Sequence, residues 1–394
     1  MNAVETGARA PEASLPAAVA ATAWAVAAAR TRRLVSRSDA FPTYTDGERW
    51  VLSEDAWAPV WTGGFLTGLL WALYEETDDA AWKELALSCC ERLAPRRRDA
   101  GTHDLGFIFT YSWGRRLRHD PGPRTVDTLV TAARTLASSF NEQGGYIRTW
   151  VAPGSTFIDV MMNLELLYLG AELSGDHRLA DVANAHARTS RRYLVRGDGS
   201  TAHEGLFEPE TGHFQHWATH QGLAADSSWA RGLAWAILGF TIAYEYSGDE
   251  DFLTTAWSCS DYFRRHSGPA LVPPNDFCDP DPRPEASAAA IAAAGFTRLG
   301  QVAPDGPRAQ EAWAHGVAIL GTLAGAPFLQ PASAREGIVG HATYHTRNGL
   351  GVDTSNMWGD YFFVEALENA TAGRHLRRSS LRDLAGHIGR EGTS

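Results

Sequence analysis

The segment Tyr244–Asp249, "YEYSGD", ends one apolar helical pattern and begins another, and two similar segments occur earlier in the chain. These are "YEETDD" at Tyr74–Asp79 and "AELSGD" at Ala171–Asp176. In each, small or polar residues interrupt the first helix, and an aspartate is placed to cap the second. The repeat therefore predicts helical hairpins, which must stack because a lone hairpin cannot bury its apolar face.

Helical periodicity continues along the rest of the chain, and alternating strand patterns are scarce. The pattern predicts twelve helices, near residues 14–35, 62–77, 79–96, 104–118, 123–140, 159–174, 176–194, 228–247, 249–266, 284–301, 307–325 and 357–372.

The predicted helices differ in how much apolar surface they carry. Some are apolar all round, such as "GLAWAILGFTIAYEY" at Gly232–Tyr246, and others are half charged, such as "HRLADVANAHARTSRRYL" at His177–Leu194. Six hairpins can form an open solenoid or close into a ring. The contrast favours an inner ring shielded by an outer ring, and so an all-α fold, a closed (α/α)6 barrel. Its functional site would lie where the inner helices begin.

The composition indicates one large globular unit. The chain has 394 residues, 44% of them hydrophobic, which is enough for a large core. Because no Gly/Ser-rich linker or long charge run divides it, we expect a single domain over residues 1–394. About 12 residues at the N-terminus and about 15 at the C-terminus are expected to be flexible.

Charge and aromatic content narrow the possible partners. The net charge of −11 argues against a nucleic-acid partner. It leaves an anionic small molecule open, because a local arginine can override the global charge. The 14 tryptophans are explained either by a pocket that stacks on sugar rings or by large spacers between helices.

The four cysteines, Cys89, Cys90, Cys259 and Cys278, form no C-x-x-C pair, so neither a disulfide framework nor a zinc knuckle is expected. No run is apolar enough to span a membrane, and the Ala-rich N-terminal run lacks a preceding basic region. We therefore expect a soluble, cytoplasmic protein without a membrane partner.

One histidine cluster raises the question of a metal. "HFQHWATHQG" places His213, His216 and His220 at helix-like offsets. Because no H-E-x-x-H motif or cysteine pair accompanies them, packing of a His-rich loop is favoured, and no metal or cofactor is expected.

Asp104 and Asp159 are the candidate acids. Each is a single acid followed by apolar residues at the start of a predicted inner helix. Either could simply cap its helix. However, both would face the same end of the ring, and apolar neighbours raise the pKa of a carboxyl group. Two carboxyls with separated pKa values can supply an acid that stays protonated near neutral pH.

Arg231 lies near the start of another apolar helix, two residues after Trp229 and four before Trp235. It could extend its charged group to solvent. Flanked by tryptophans on an inner helix, it is better suited to bind a ligand carboxylate. Trp235 lies one turn further along the same face and could stack on a sugar ring.

The motifs as a set resemble those of a known family. They are "WTGGF", "HDLGF", "IDVMMN", "GSTAH", "QGLAADSSWARGLAW" and "NMWGDYFFVEAL", and they lie between Trp61 and Leu367. Their order is similar to that in the unsaturated glucuronyl hydrolases of glycoside hydrolase family 88. A related family that acts on unsaturated rhamnogalacturonan fragments shares the fold but is less similar at "HDLGF".

The resemblance implies an (α/α)6 barrel that hydrates the C4=C5 double bond of a terminal unsaturated uronate and releases the remaining saccharide. It implies that Asp159 is the general acid/base and Asp104 its assisting carboxylate. The implied substrate contacts are Trp61, His203, Gln221, Trp229, Arg231, Trp235 and Tyr344. Leu223 and Leu233 depart from the family pattern, where an aromatic residue and a glutamine are expected.

Three functions remain open from the sequence: this hydrolase, an unsaturated rhamnogalacturonyl hydrolase, and a non-catalytic carbohydrate-binding ring. The expected partner is an unsaturated uronate-terminated oligosaccharide, and the expected state is a monomer or a homodimer. The loop "HATYHTRNGLGVD" at His341–Asp353 would set sulfate or linkage preference, and Arg347 within it would either meet an acidic group or be solvated.

Overall fold

A computed structural model describes residues 13–53, 60–281, 283–372 and 388. Apart from Ile388, the chain ends for which flexibility is expected lie outside these residues. The described residues contain twelve α-helices: α1 (Ala17–Val35), α2 (Gly63–Thr77), α3 (Ala80–Leu93), α4 (Leu105–Phe109), α5 (Pro123–Ala137), α6 (Leu164–Ser174), α7 (His177–Tyr193), α8 (Ala230–Ser247), α9 (Glu250–Ser267), α10 (Ala286–Val302), α11 (Pro307–Leu323) and α12 (Met357–Ala372).

The even-numbered helices form a closed inner ring. Each of α2, α4, α6, α8, α10 and α12 contacts the next, and α12 contacts α2, which closes the ring. The odd-numbered helices pack around the outside, with α1 against α12. The contact between α12 and α2 excludes the open solenoid, and the predicted (α/α)6 barrel is confirmed.

Burial distinguishes the two rings. Nearly every residue of α8 and α10 is buried, so these helices have no solvent face. In α7 the buried residues include Leu179, Ala183, His186 and Ser190, which share one helical face. Small residues let the inner helices approach closely, and a Cβ at Gly239 of α8 would lie 2.6 Å from the Met161 Cβ.

The hairpin turns follow the predicted pattern at two of three places. The Asp79 side chain accepts the Ala81 N–H at 3.0 Å, and the Asp249 side chain accepts the Asp251 N–H at 3.1 Å. The predicted cap at Asp176 is wrong, because this side chain makes no capping bond. It accepts the Arg178 guanidinium at 2.9 Å instead, since a full charge competes well with a backbone amide.

Three small antiparallel sheets lie in the connections. One pairs β1 (Phe41–Asp46) with β2 (Arg49–Ser53), and another pairs β3 (Phe140–Asn141) with β4 (Tyr146–Ile147). The third has the order β5 (Ser155–Phe157), β6 (Glu204–Phe207), β7 (Phe214–Ala218). His216 lies within β7, with His213 before it and His220 after it, so the helix-like offsets of these histidines do not place them on one helical face.

Within the described ranges, no helix combines the length and the apolarity that crossing a bilayer requires.

Candidate active site

A pocket opens at the end of the ring where the inner helices begin. It has an empty volume of about 570 Å³, part of which is open to solvent. Residues near the starts of α2, α4, α6 and α8, together with residues of the loop between α11 and α12, contribute to its wall. The lining residues are Trp61, His103, Asp104, Phe107, Trp150, Phe157, Asp159, His220, Gln221, Arg231, Trp235, Tyr344 and His345. Seven of the nine site residues expected from the sequence are among them.

Asp159 lies in a 3₁₀ turn, Ile158–Asn163, that connects β5 to α6. The Ile158 N–H donates to the carbonyl of His203, the residue before β6, at 2.9 Å. The Asp159 side chain is 14% exposed, and its Oδ1 is buried without a hydrogen-bond partner in the described part of the chain. This oxygen is therefore not used to cap the helix.

Burial raises the pKa of Asp159 to about 7. The nearby Arg231 charge acts against this rise, whereas the Asp104 carboxylate adds to it, because a second negative charge disfavours ionisation. The Asp159 carboxyl is thus partly protonated at neutral pH, and Asp159 lines the pocket.

Asp104 occupies the position before α4 but makes no capping bond to that helix. The two residues that precede it lie against its two oxygens. The Thr102 hydroxyl donates to Asp104 Oδ2 at 3.0 Å, and His103 Nε2 lies 3.4 Å from Oδ1. Asp104 and Asp159 line the same pocket, so two acids that are distant in sequence meet in the structure.

The two elements that carry the acids touch directly. The Phe107 N–H of α4 donates to Asn163 Oδ1 at 3.0 Å, at the end of the 3₁₀ turn. Gly106 allows this approach, because a Cβ there would lie 2.3 Å from the Asn163 Cα. The spacing of the two acids therefore depends on this contact.

His203 lies behind Asp159 in a fixed protonation state. Its Nδ1 accepts the backbone N–H groups of His220 and Gln221 at 3.0 and 3.1 Å. Burial holds the pKa of His203 well below its usual value, so the ring is neutral with its proton on Nε2. That Nε2 lies 3.8 Å from Asp159 Oδ1, and both atoms are buried without hydrogen-bond partners in the described residues. A bound polar group could satisfy both atoms.

Arg231 is buried at the start of α8, and burial lowers its pKa. The guanidinium carbon lies 4.2 Å from the ring centre of Trp229 and 5.1 Å from that of Trp358. The guanidinium donates to the Thr343 carbonyl and, at 2.7 Å, to the Tyr344 carbonyl. It is thus shared between the pocket and the loop before α12, and Trp229 lies beneath it, outside the pocket wall.

Aromatic rings form much of the remaining wall. Trp61 stacks on Trp358 with ring centres 4.9 Å apart, and Tyr344 lies 5.2 Å from Trp358. Trp235 is buried with its ring 5.2 Å from that of Phe107. Flat apolar surfaces of this kind suit the faces of sugar rings.

Several lining residues were not expected from the sequence as site residues. His103 adjoins Asp104, and its motif "HDLGF" was the available signal. Trp150 is 58% exposed at the rim, with its ring 5.5 Å from that of His220. His345 is buried with both ring nitrogens unpartnered among the described residues. No sequence pattern marks Trp150 or His345 as site residues beyond their place in long loops.

The two departures from the family pattern lie in different environments. Leu223 is exposed, whereas Leu233 is fully buried in α8. Arg347 is exposed, and its guanidinium donates to the Thr219 carbonyl at 3.1 Å. No group of three or more His, Cys, Asp or Glu residues in the described ranges is arranged to hold a metal ion.

The pocket contains two acids and several aromatic side chains, and it lies at one end of a double ring of α-helices. Such a pocket is typical of enzymes that act on oligosaccharides. Residues 34–254 match the family described as Glycosyl Hydrolase Family 88. The unsaturated glucuronyl hydrolase of Bacillus sp. (strain GL1) is 33% identical over 351 residues, which cover 85% of this chain and 92% of that protein. The chain belongs to glycosyl hydrolase family 88.

Two further comparisons agree. The unsaturated chondroitin disaccharide hydrolase of Streptococcus pyogenes serotype M1 is 32% identical over 330 residues, covering 78% of this chain and 80% of that protein. The crystal structure of unsaturated glucuronyl hydrolase from Bacillus sp. GL1 superposes with a TM-score of 0.84 at 30% identity, covering 90% of this chain and 96% of that one.

Proposed function

We propose that this enzyme hydrates the C4=C5 double bond of a terminal unsaturated uronate and thereby releases the rest of an oligosaccharide. The observation that carries the proposal is Asp159, which lines the pocket, has a carboxyl pKa raised to about 7 and has one buried oxygen without a hydrogen-bond partner among the described residues. The relatives support it, because they are named for unsaturated glucuronyl and unsaturated chondroitin disaccharide substrates.

The reaction needs one group that first gives a proton and then takes one. Protonated Asp159 donates to C4, which leaves positive charge at C5 shared with the ring oxygen. Water then adds at C5 and gives its proton to the ionised Asp159. The resulting hemiketal opens to a ketone at C5, which leaves C1 as a hemiacetal. The hemiacetal collapses to an aldehyde, and the bond from C1 to the remaining saccharide breaks as that saccharide leaves with a hydroxyl group. Because no covalent glycosyl-enzyme forms, the carboxylate-spacing rule for retaining and inverting glycosidases does not apply.

Asp104 assists in this scheme through its charge. Held by Thr102 and His103, it favours the protonated form of Asp159 before the reaction and stabilises the cation that develops at C5.

The other site residues would bind the substrate. Trp61, Trp235 and Tyr344 offer ring faces, while Gln221 and the Nε2–H of His203 offer polar groups. Arg231 uses donors on two loop carbonyls and has further N–H groups for the uronate carboxylate. Trp229 supports Arg231 from below.

We further propose that the ring is one catalytic domain, because its pocket draws on residues near the starts of α2, α4, α6 and α8 and on the loop between α11 and α12. A monomer or a homodimer would therefore be competent. All four cysteines are unpaired, which supports a cytoplasmic location.

The test is incubation with a panel of unsaturated disaccharides from chondroitin, hyaluronan, heparin, ulvan and rhamnogalacturonan, following loss of the enoate ultraviolet absorbance. Turnover of a uronyl substrate by the parent, with folded Asp159→Asn that binds but does not turn over, supports the proposal. If the parent turns over only the rhamnogalacturonan fragment, the enzyme is instead an unsaturated rhamnogalacturonyl hydrolase. Binding without turnover by the parent would indicate a non-catalytic carbohydrate-binding ring.

A further inference from the structure

The segment Thr343–His345 brings two pocket residues, Tyr344 and His345, from the loop between α11 and α12. The loop folds back on itself through the bridges Ala342↔Thr354 and His345↔Leu350. Loop segments that line a site must be held in place, because their own pairing is limited. The groups that hold this segment therefore affect the pocket wall.

Two pocket residues bind the carbonyls of this segment. Arg231 donates to the carbonyls of Thr343 and Tyr344, and the Gln221 side chain donates to the Tyr344 carbonyl at 3.2 Å. These contacts come from the α8 side of the pocket.

The N–H side of the segment is held from α10 by Glu285, which is fully buried. Its Oε1 accepts the Ser287 N–H at 3.2 Å, the Ser287 hydroxyl at 2.6 Å and the Thr343 N–H at 2.9 Å, while its Oε2 accepts the Ala288 N–H at 2.6 Å. The bonds to Ser287 and Ala288 cap α10, but the bond to Thr343 leaves the helix and reaches the loop. Beside it, the Ala286 N–H donates to the His341 carbonyl at 2.8 Å.

Charge links Glu285 to Arg231. Burial lowers the pKa of Arg231, and Glu285 is the first of the negative charges that act against this, ahead of Asp159. Among the described residues, the four groups that bond to the Glu285 side chain are all donors, so this side chain acts as an acceptor, as a carboxylate does. Glu285 and Arg231 thus hold opposite sides of the same peptide segment.

We propose that Glu285 is a positioning residue for substrate binding: its buried carboxylate, with Arg231, fixes Thr343–His345 so that Tyr344 and His345 face the pocket. Glu285 itself does not line the pocket. A test of this role by enzyme kinetics rests on the proposed function, whereas a test by hydrogen exchange of the backbone amides does not.

The deciding variant is Glu285→Asp. Aspartate keeps the negative charge and is a good helix cap, but it is one methylene shorter and withdraws from Thr343. Glu285→Gln is the second variant. Glutamine replaces one of the two acceptor oxygens with an NH₂ group, which would face donor groups and could not accept their hydrogen bonds. The control is Asp79→Asn at the start of α3, where asparagine caps equally well and the pocket is not touched.

For Glu285→Asp we expect KM to rise about tenfold with kcat nearly unchanged, the size of effect that follows from losing one hydrogen bond to a charged acceptor. In an Asp159→Asn background, tryptophan fluorescence should give a Kd for the unsaturated disaccharide that is higher by the same factor. Hydrogen exchange of the peptide around residues 341–346 should speed up, while exchange in α10 stays slow. Glu285→Gln should show larger changes, and Asp79→Asn none of them.

A contrary result has a clear form. If Glu285→Asp keeps the parental KM and the parental exchange at 341–346, Glu285 only caps α10 and the inference is wrong. If Glu285→Gln does not fold, Glu285→Asp still decides. If the parent neither binds nor turns over the disaccharide, the proposed function fails, and faster exchange at 341–346 still supports the positioning role.

Discussion

The carboxyl group of Asp159 lies where its ionised form is poorly solvated. Its pKa is raised from 3.8 to about 7, so the folded protein binds more protons than the unfolded chain between these values. The stability of the fold must then fall as the pH rises through this window, because the ionised carboxyl is less favourable in the folded protein than in the unfolded chain. The raised pKa that would let Asp159 donate a proton near neutral pH therefore also destabilises the fold as the pH rises through this window.

Asp159→Asn should separate stability from activity. Asparagine cannot ionise, so the variant should be more stable than the parent at pH 8, by at most about 4 kcal/mol for a shift of about three units, and little changed at pH 4. Turnover should be lost at both values. Urea unfolding at pH 4 and 8, with the absorbance assay, would check this. A variant that is destabilised at pH 8 would instead indicate a structural role for Asp159.

Asp104→Asn should change the pH dependence of the reaction. The Asp104 charge helps to raise the pKa of Asp159, so its removal should lower that pKa. The alkaline limb of kcat/KM, where Asp159 loses its proton, should move to lower pH, and the maximal rate should also fall. A pH profile of initial rates measures both, and an alkaline limb that stays in place would show that Asp104 does not act through Asp159.

For single residues, the sequence predicts the two acids but not the whole pocket. Asp104 and Asp159 stand out because each is a lone acid before an apolar run, which is a local pattern. His345 and Trp150 reach the wall only because long loops fold over the ring. The position of His345 depends on contacts such as the bond from the Thr343 N–H to the Glu285 side chain, and no local pattern encodes that contact.

Among the elements, the contact between α4 and the 3₁₀ turn Ile158–Asn163 sets the geometry of the site. Helix α4 continues as a short π-helix, Thr110–Gly114, and π-helical segments are frequent at functional sites. Each acid lies at the beginning of one of these two elements. A small displacement between them would change the distance between the carboxyl groups, and misplacement of reacting groups by about 1 Å can reduce rates roughly 100-fold.

Gly106→Ala should disturb this contact, because its Cβ would lie 2.3 Å from the Asn163 Cα, which is backbone and cannot rotate away. We expect a loss of about 1–3 kcal/mol in unfolding free energy and a roughly 10- to 100-fold lower kcat. Gly114→Ala is the matched control, since its nearest neighbour lies 3.6 Å away. Equal effects of the two substitutions on kcat would disprove the special role of the contact.

The sequence predicts the helices better than the strands. The long apolar periods of the inner helices are strong signals, and all twelve helices are present in the described residues. β5, β6 and β7 have only three to five residues each, and β5 pairs with β6 about 50 residues further along, as in Phe157↔Glu204. Such pairings depend on where the ring brings the loops together.

Across the whole ring, two buried arginines lie between the inner helices, and each of them joins a different set of three. Arg115, which follows α4, pairs with Glu368 of α12 and lies 3.6 Å from Glu75 of α2. Arg298 of α10 donates to Glu245 of α8 and Glu165 of α6, each at 2.8 Å. None of these residues lines the pocket. Because α2 and α12 close the ring, Arg115 bridges the two ends of the inner layer.

Arg298→Met should therefore weaken the fold without altering the site. The substitution keeps an apolar side chain in the ring but removes the cation that neutralises Glu165 and Glu245, and breaking a buried ion pair in this way costs about 3–5 kcal/mol. The midpoint of urea unfolding should fall accordingly, while kcat/KM per folded molecule stays at the parental value.

Two further variants make this test specific to the buried charges. Adding Glu165→Gln and Glu245→Gln to Arg298→Met should recover part of the lost stability, because the carboxylates then carry no charge. Arg308→Met, which removes an exposed arginine 2.7 Å from Asp261, should change the unfolding free energy by about 1 kcal/mol or less. If Arg298→Met is no more destabilising than Arg308→Met, the buried arginines do not hold the ring together, and apolar packing between the inner helices is sufficient.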